Sequence, residues 1–148
     1  MTWNEVIQLL ATVATPIAVF LAWWQLKLTK QQSVVAFEDS LAREYREISD
    51  RLPIRALLGE ELSDTEHSGA LQSFHRYVDL SNEQVFLRIN RRITPTTWQD
   101  WAAGIKSNLR RPAFKRAWEE IKRRAPDSFT ELRRLEKNDF GADPARWR

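Results

Sequence analysis

Phe74–Arg88, FHRYVDLSNEQVFLR, decides how the chain folds, because its apolar residues recur with the period of a helix. Extended outward, the pattern predicts a helix from about Ala70 to Arg91, with Leu71, Phe74, Val78, Val85 and Ile89 on one side and Tyr77 and Phe86 broadening it. Asn82 falls inside that apolar side. A buried amide needs partners for its carbonyl and its amino group, so Asn82 is expected to tie this helix to a neighbour's backbone. The other side carries His75, Asp79 and Glu83 at steps of four, close enough on a helix to offer ligands to one divalent metal. A closed site needs a further ligand. The only other histidine, His67, lies just upstream in EELSDTEHSG, which reads as a polar loop. The run is therefore read as the wet face of an amphipathic helix, with Arg76 and Asp79 as an i,i+3 pair, and no metal or other cofactor is assigned.

Upstream, Val34, Phe37, Leu41, Tyr45, Ile48 and Leu52 make a second helical stripe, which Pro53 ends by disfavouring helical geometry at Leu52. IRALLG follows as a short apolar piece with Gly59 as its cap. Before the stripe, Val6–Leu26 (VIQLLATVATPIAVFLAWWQL) contains no charged residue. At about 1.5 Å per residue this helix would be roughly 31 Å long, the hydrocarbon thickness of a bilayer. Trp3, Trp23 and Trp24 stand near its ends, where amphipathic rings prefer the interface. Met1–Glu5 lacks the basic start of a signal peptide, and AWWQLKL is a poor cleavage site. Lys27, Lys30 and Arg43 follow the segment and no basic residue precedes it. The expectation is a single inner-membrane span with the N-terminus out and the bulk of the chain cytoplasmic. Pro16 is expected to loosen or kink this helix, with Thr12 bonding a freed carbonyl. Ala14, Ala18 and Ala22, flanked by Ala11 and Thr15, offer a small-residue face for self-association in lipid.

Downstream, ITPTTWQDW opens a third helix, with Thr94 as N-cap, Pro95 at the first position and Asp100 in an early turn. Its buried stripe is Trp98, Trp101, Ile105 and Leu109, and Gly104 is read as a close helix crossing. Pro112 starts a further helix with Phe114, Trp118 and Ile121 inside. Ser128 and Glu131 form a capping box for a last helix burying Phe129, Leu132 and Leu135, and GADPARWR is read as a frayed tail. No stretch alternates like a strand. The fold class is all-α: an anchor at residues 1–30, a helical cytoplasmic domain at 31–139 and a flexible tail at 140–148.

At 148 residues the chain has room for one modest domain with an appendage. A hydrophobic fraction of 43% excludes wholesale disorder. The absence of cysteine excludes a disulfide framework, a thiol nucleophile and a cysteine-based metal site. No glycine-rich phosphate loop, HExxH or GxSxG is present, and paired carboxylates such as Glu119 and Glu120 are ordinary on a surface helix, so an enzyme is not expected. Basic residues concentrate in the second half. Arg91, Arg92, Lys106, Arg110, Arg111 and Lys115 are the candidates for contact with anionic lipid headgroups or with a phosphate-bearing ligand. The alternative is a set of solvated faces paired with Glu119, Glu120, Asp127, Glu131 and Glu136.

One N-terminal span followed by FEDSLAREYREISDRLP, RYVDLSNEQVFLRINRRIT, TWQDWAAGI and RRPAFKRAW resembles an uncharacterised group of bacterial membrane-anchored proteins, the DUF4760 type. The resemblance covers most of the chain and implies a helical cytoplasmic domain on an anchor, with no activity or site residue to carry over. The layout is also similar to small membrane effectors of antiviral systems. The function expected is a membrane-anchored, non-enzymatic interaction or oligomerisation module, with membrane lipid, further copies of the chain and an unidentified protein as partners. The alternative is a ligand-gated membrane effector whose basic helices sense an anionic nucleotide signal.

Overall fold

A computed structural model describes the backbone of residues 3–147 and the side chains of Trp3 and of residues 17–147. All regular elements among them are helical, so the chain is all-α: α1 (Trp3–Ser49), α2 (Ile54–Leu57), α3 (Asp64–Ile89), α4 (Pro95–Arg110), α5 (Pro112–Arg124), α6 (Thr130–Lys137) and a 3₁₀ turn at Pro144–Arg146. The chain divides into two compact units between Phe37 and Glu38.

In the first unit, the described side chains from Ile17 to Ser33 are all exposed. Phe20 lies 6.1 Å from the rings of both Trp23 and Trp24, and the Lys27 ammonium sits 5.4 Å over the Trp23 ring. Ala14, with Ala11, Thr12, Thr15 and Pro16, lies outside the described side chains.

In the second unit α3 is the hub, packing against α4, α5, α6 and the 3₁₀ turn. The predicted stripe accounts for part of this. Phe74, Val78 and Val85 are buried, but Leu80 and Leu87 on other faces are buried too, and Phe86 is exposed. A helix surrounded by partners buries more than one stripe. Phe114 of α5 meets Phe74 and Tyr77 edge-on at 5.0 and 5.1 Å. Leu41, Ile48 and Leu52 of the upstream stripe are buried.

The helix ends follow from local chemistry. At Gly59 (φ 85°) the chain turns left-handed, so that Gly59 N–H reaches Ala56 O and Glu60 N–H reaches Arg55 O, closing α2 as expected. Helix α3 starts earlier than predicted: Ser63 and Glu66 cap it reciprocally, which places His67 inside the helix and not in a loop. Thr94 accepts from Thr97 N–H at 3.2 Å, and Pro95 and Pro112 begin α4 and α5. The capping box expected from Ser128 and Glu131 does not form. Phe129 occupies the N-cap with φ 59° and has no capping side chain.

Other helices supply what these ends lack. Asn82 of α3 accepts from Leu132 N–H at 3.0 Å, standing in as the cap of α6 and tying α3 to a neighbour's backbone as expected. Arg133 of α6 donates to Lys122 O and Ala125 O, occupying the carbonyls that close α5. Glu38 of α1 accepts from Thr94 N–H and from the Thr97 hydroxyl at the start of α4. The C-terminal segment is packed, contrary to the frayed tail expected. Asp143 receives two bonds from the Arg88 guanidinium, at 2.8 and 2.7 Å, Pro144 is buried, and Trp147 lies 4.4 Å beneath the Arg134 guanidinium.

Candidate functional site

Tyr77, Ser81, Gln84 and Arg88 recur every three or four residues along α3 and form a polar stripe within its buried surface. Three of them are satisfied by protein. The Ser81 hydroxyl donates to Tyr77 O at 2.8 Å, and Arg88 donates to Ile93 O as well as to Asp143. The Tyr77 hydroxyl accepts from Asn108 Nδ2 at 3.1 Å, and burial pushes its pKa up to about 12, so it keeps its proton at neutral pH. Gln84 is different. It is only 6% exposed, and its amide has no hydrogen-bond partner among the described residues.

Gln84 borders a cavity of about 320 Å³ in the second unit. The volume lies at the lower end of what small-molecule sites occupy, about 300–1,000 Å³. Tyr45, Tyr77, Trp101 and Ile105 provide its aromatic and aliphatic walls, while Gln84 and Asn108 bring two buried amides to it. Asn108 Nδ2 spans the two tyrosine hydroxyls, with Tyr45 Oη at 3.4 Å, and its carbonyl oxygen has no partner among the described residues. Arg46 and Asp100, of opposite sign, and Gly104 are exposed at the mouth. Gly104 is no close crossing: a Cβ built there meets nothing within 4 Å, so the missing side chain leaves the mouth open.

Sequence reading passed over this site, although the signal was present. Gln84 lies seven residues from Tyr77 and three from Ser81, on the inner surface, by the same logic that singled out Asn82.

The residues that sequence reading did select are dispersed. His75, Asp79 and Glu83 are all exposed, with His75 meeting the Phe129 ring at 5.4 Å. Partial burial and the nearby Glu44 and Asp79 carboxylates push the Glu83 pKa up. Among the described residues no group of His, Asp and Glu is arranged to hold a metal ion. His67, by contrast, is buried against Phe74. Its Nε2–H donates to Glu120 at 2.7 Å, which holds that carboxylate below its usual range, while its Nδ1 is buried without a partner.

Of the six basic candidates, Lys106 and Arg110 converge on Asp139 at 2.9 Å each. Arg91, Arg92 and Lys115 are exposed, Arg111 is half-buried, and none of the four has an ion-pair partner among the described residues. None of the six borders the cavity. Much of the remaining basic charge is engaged internally, as Lys122 with Glu119 and Glu136, and Arg124 with Glu120.

Among the described residues no helix is long and apolar enough to cross a membrane, and the side chains of residues 4–16, which include over half of the uncharged run Val6–Leu26, lie outside that description. No protein-family model, curated protein or solved structure matches the chain.

Proposed function

We propose that the protein is a membrane-held, non-enzymatic interaction module, with a single N-terminal span, its amino terminus outside, carrying the helical unit on the cytoplasmic side. One observation carries the reading. From Ile17 to Leu28 every side chain is exposed, and Ile17, Val19, Phe20, Leu21, Trp23, Trp24 and Leu26 are each more than half so. A helix apolar all round requires an apolar medium or a protein core around it. Lys27 over Trp23 supports the membrane, because an ammonium folded back onto an interfacial indole is how a lysine keeps its stem in lipid and its charge in water. Contact of Arg91, Arg92 and Lys115 with anionic headgroups belongs to the same proposal, as does membership of the DUF4760-type group, which rests on the quoted segments.

Membrane fractionation tests the anchor: the full chain should resist extraction by alkaline carbonate, and a carbonate-soluble chain would refute it. A cytoplasmic reporter fused after Arg148 should be active and a periplasmic one silent, and the reverse would overturn the orientation. Self-association through Ala14, Ala18 and Ala22 completes the proposal. Ala18→Leu with Ala22→Leu should weaken the oligomer without reducing insertion, because leucine pushes backbones apart but is the more apolar residue. Mass photometry in detergent reads the outcome, and an unchanged oligomer would remove this face.

A further inference from the structure

We infer that the cavity beside α3 is a binding site for a neutral, planar heteroaromatic molecule bearing a hydrogen-bond donor and acceptor side by side on one edge, as a nucleobase does. The inference is independent of the membrane reading and rests on the cavity alone.

Three observations converge on that chemistry. The first is the pair of amides. Gln84 and Asn108 are 6% and 5% exposed, both border the cavity, and the Gln84 amide and the Asn108 carbonyl lack partners among the described residues. Neither group is sealed from solvent, so both are open to water or to a ligand that offers the same bonds. A primary amide presents a donor and an acceptor in one plane, and its complement is a second amide-like edge. The second observation is the wall. Tyr45 and Trp101 are partly exposed aromatics on the cavity surface, and flat rings bury most area against aromatic faces. The third is charge. Arg46 and Asp100, both exposed and of opposite sign, line the cavity together, and none of the six basic candidates reaches it, so the charge there favours neither an anion nor a cation.

The probes are free adenine and uracil, with indole as a planar ring that has a donor but no adjacent acceptor. Each is titrated into the full-length chain in detergent micelles while the side-chain amide resonances of Gln84 and Asn108 are followed by NMR. Adenine or uracil should shift both amides along a saturating curve, and indole should bind at least tenfold more weakly. Gln84→Met, which keeps length but removes donor and acceptor, should weaken the base at least tenfold and leave indole unchanged. Gly104→Leu fills the mouth from a position where a Cβ meets nothing within 4 Å, and should abolish binding of the base. Wild-type protein that binds neither base up to its solubility limit would overturn the inference. So would base binding that survives Gln84→Met or Gly104→Leu. Should Gln84→Met lose its fold by near-UV circular dichroism, Gly104→Leu decides alone.

Discussion

Trp24 and Trp118 are the same residue put to opposite uses. Trp118 is 1% exposed, meets Phe129 at 6.1 Å, donates its indole N–H to Glu136 at 3.0 Å and carries Lys122 and Arg133 on its ring. Trp24 is 51% exposed, and its recorded ring neighbour is Phe20, one turn away on the same helix. The described apolar side chains of the first unit from Ile17 to Leu28 are exposed, whereas most of those in the second unit are buried. A buried ring repays the ordering of its neighbours, whereas an exposed one contributes nothing to folding and has its value in what it touches outside the chain.

The largest expected effect separates the two units directly. Trp118→Ala should destabilise the helical unit by about 3–5 kcal/mol in denaturant unfolding, through lost burial, the cavity left behind and the loss of the indole bond to Glu136. Trp24→Ala should shift the same transition by less than about 0.5 kcal/mol. Equal losses would break the distinction between the units.

Within the second unit, Asn82 and His75 make the same comparison on a smaller scale. Asn82→Leu removes the acceptor for Leu132 N–H at an end that Phe129 cannot cap, and should cost roughly 1–3 kcal/mol. His75→Ala and Glu83→Ala, on the exposed face, should stay within about 0.5 kcal/mol. Stoichiometric metal bound by the purified chain and lost in His75→Ala would instead make that face a site.

Acid probes the packed tail. The Arg88 guanidinium holds the Asp143 carboxyl below its ordinary value of 3.8, so the native state binds that proton less readily than the unfolded chain. The resulting stabilisation is fully present above pH 3.8 and is lost as pH falls through the lower native value. Unfolding followed from pH 5 downward should therefore show stability declining below that point. Asp143→Asn should flatten the decline in part, since Glu120 and Asp139 are held low as well. Asp143 is about one-third exposed, so this effect is smaller than that of Asn82→Leu.

The smallest change runs the other way. Gly104→Ala should stabilise the unit by about 0.5–1 kcal/mol, because glycine is a poor helix residue and the added methyl meets open space. A loss of stability would mean that the cavity mouth is closed.

Sequence was most informative where one residue acts on its own backbone. Thr94 and Pro95, Pro112 and Gly59 mark helix ends by φ restriction, missing donors or short capping bonds, and all act there as read. Asn82 was legible because an amide amid apolar residues demands a partner, though Leu132 as that partner was not. The same grammar misled at Ser128 and Glu131, where the motif is present and the helix begins at Thr130 instead. At Ser63 and Glu66 the reverse occurred: a working capping box lay within a stretch polar enough to read as loop.

By itself the sequence determined that the chain is helical, where several of its helices start and stop, and that one long helix begins with an uncharged run. Those properties follow from periodicity and from bonds spanning four residues or fewer. Only the tertiary structure decided that His67 is buried on Glu120, that Arg88 clamps the tail through Asp143, and that Gln84 and Asn108 face a common cavity. The physical reason is separation along the chain. Hydrogen bonds between residues some fifty apart, such as Asn82 to Leu132 and Arg88 to Asp143, leave no periodic trace. A side chain missing at Gly104 marks a void only once the walls around it have been assembled.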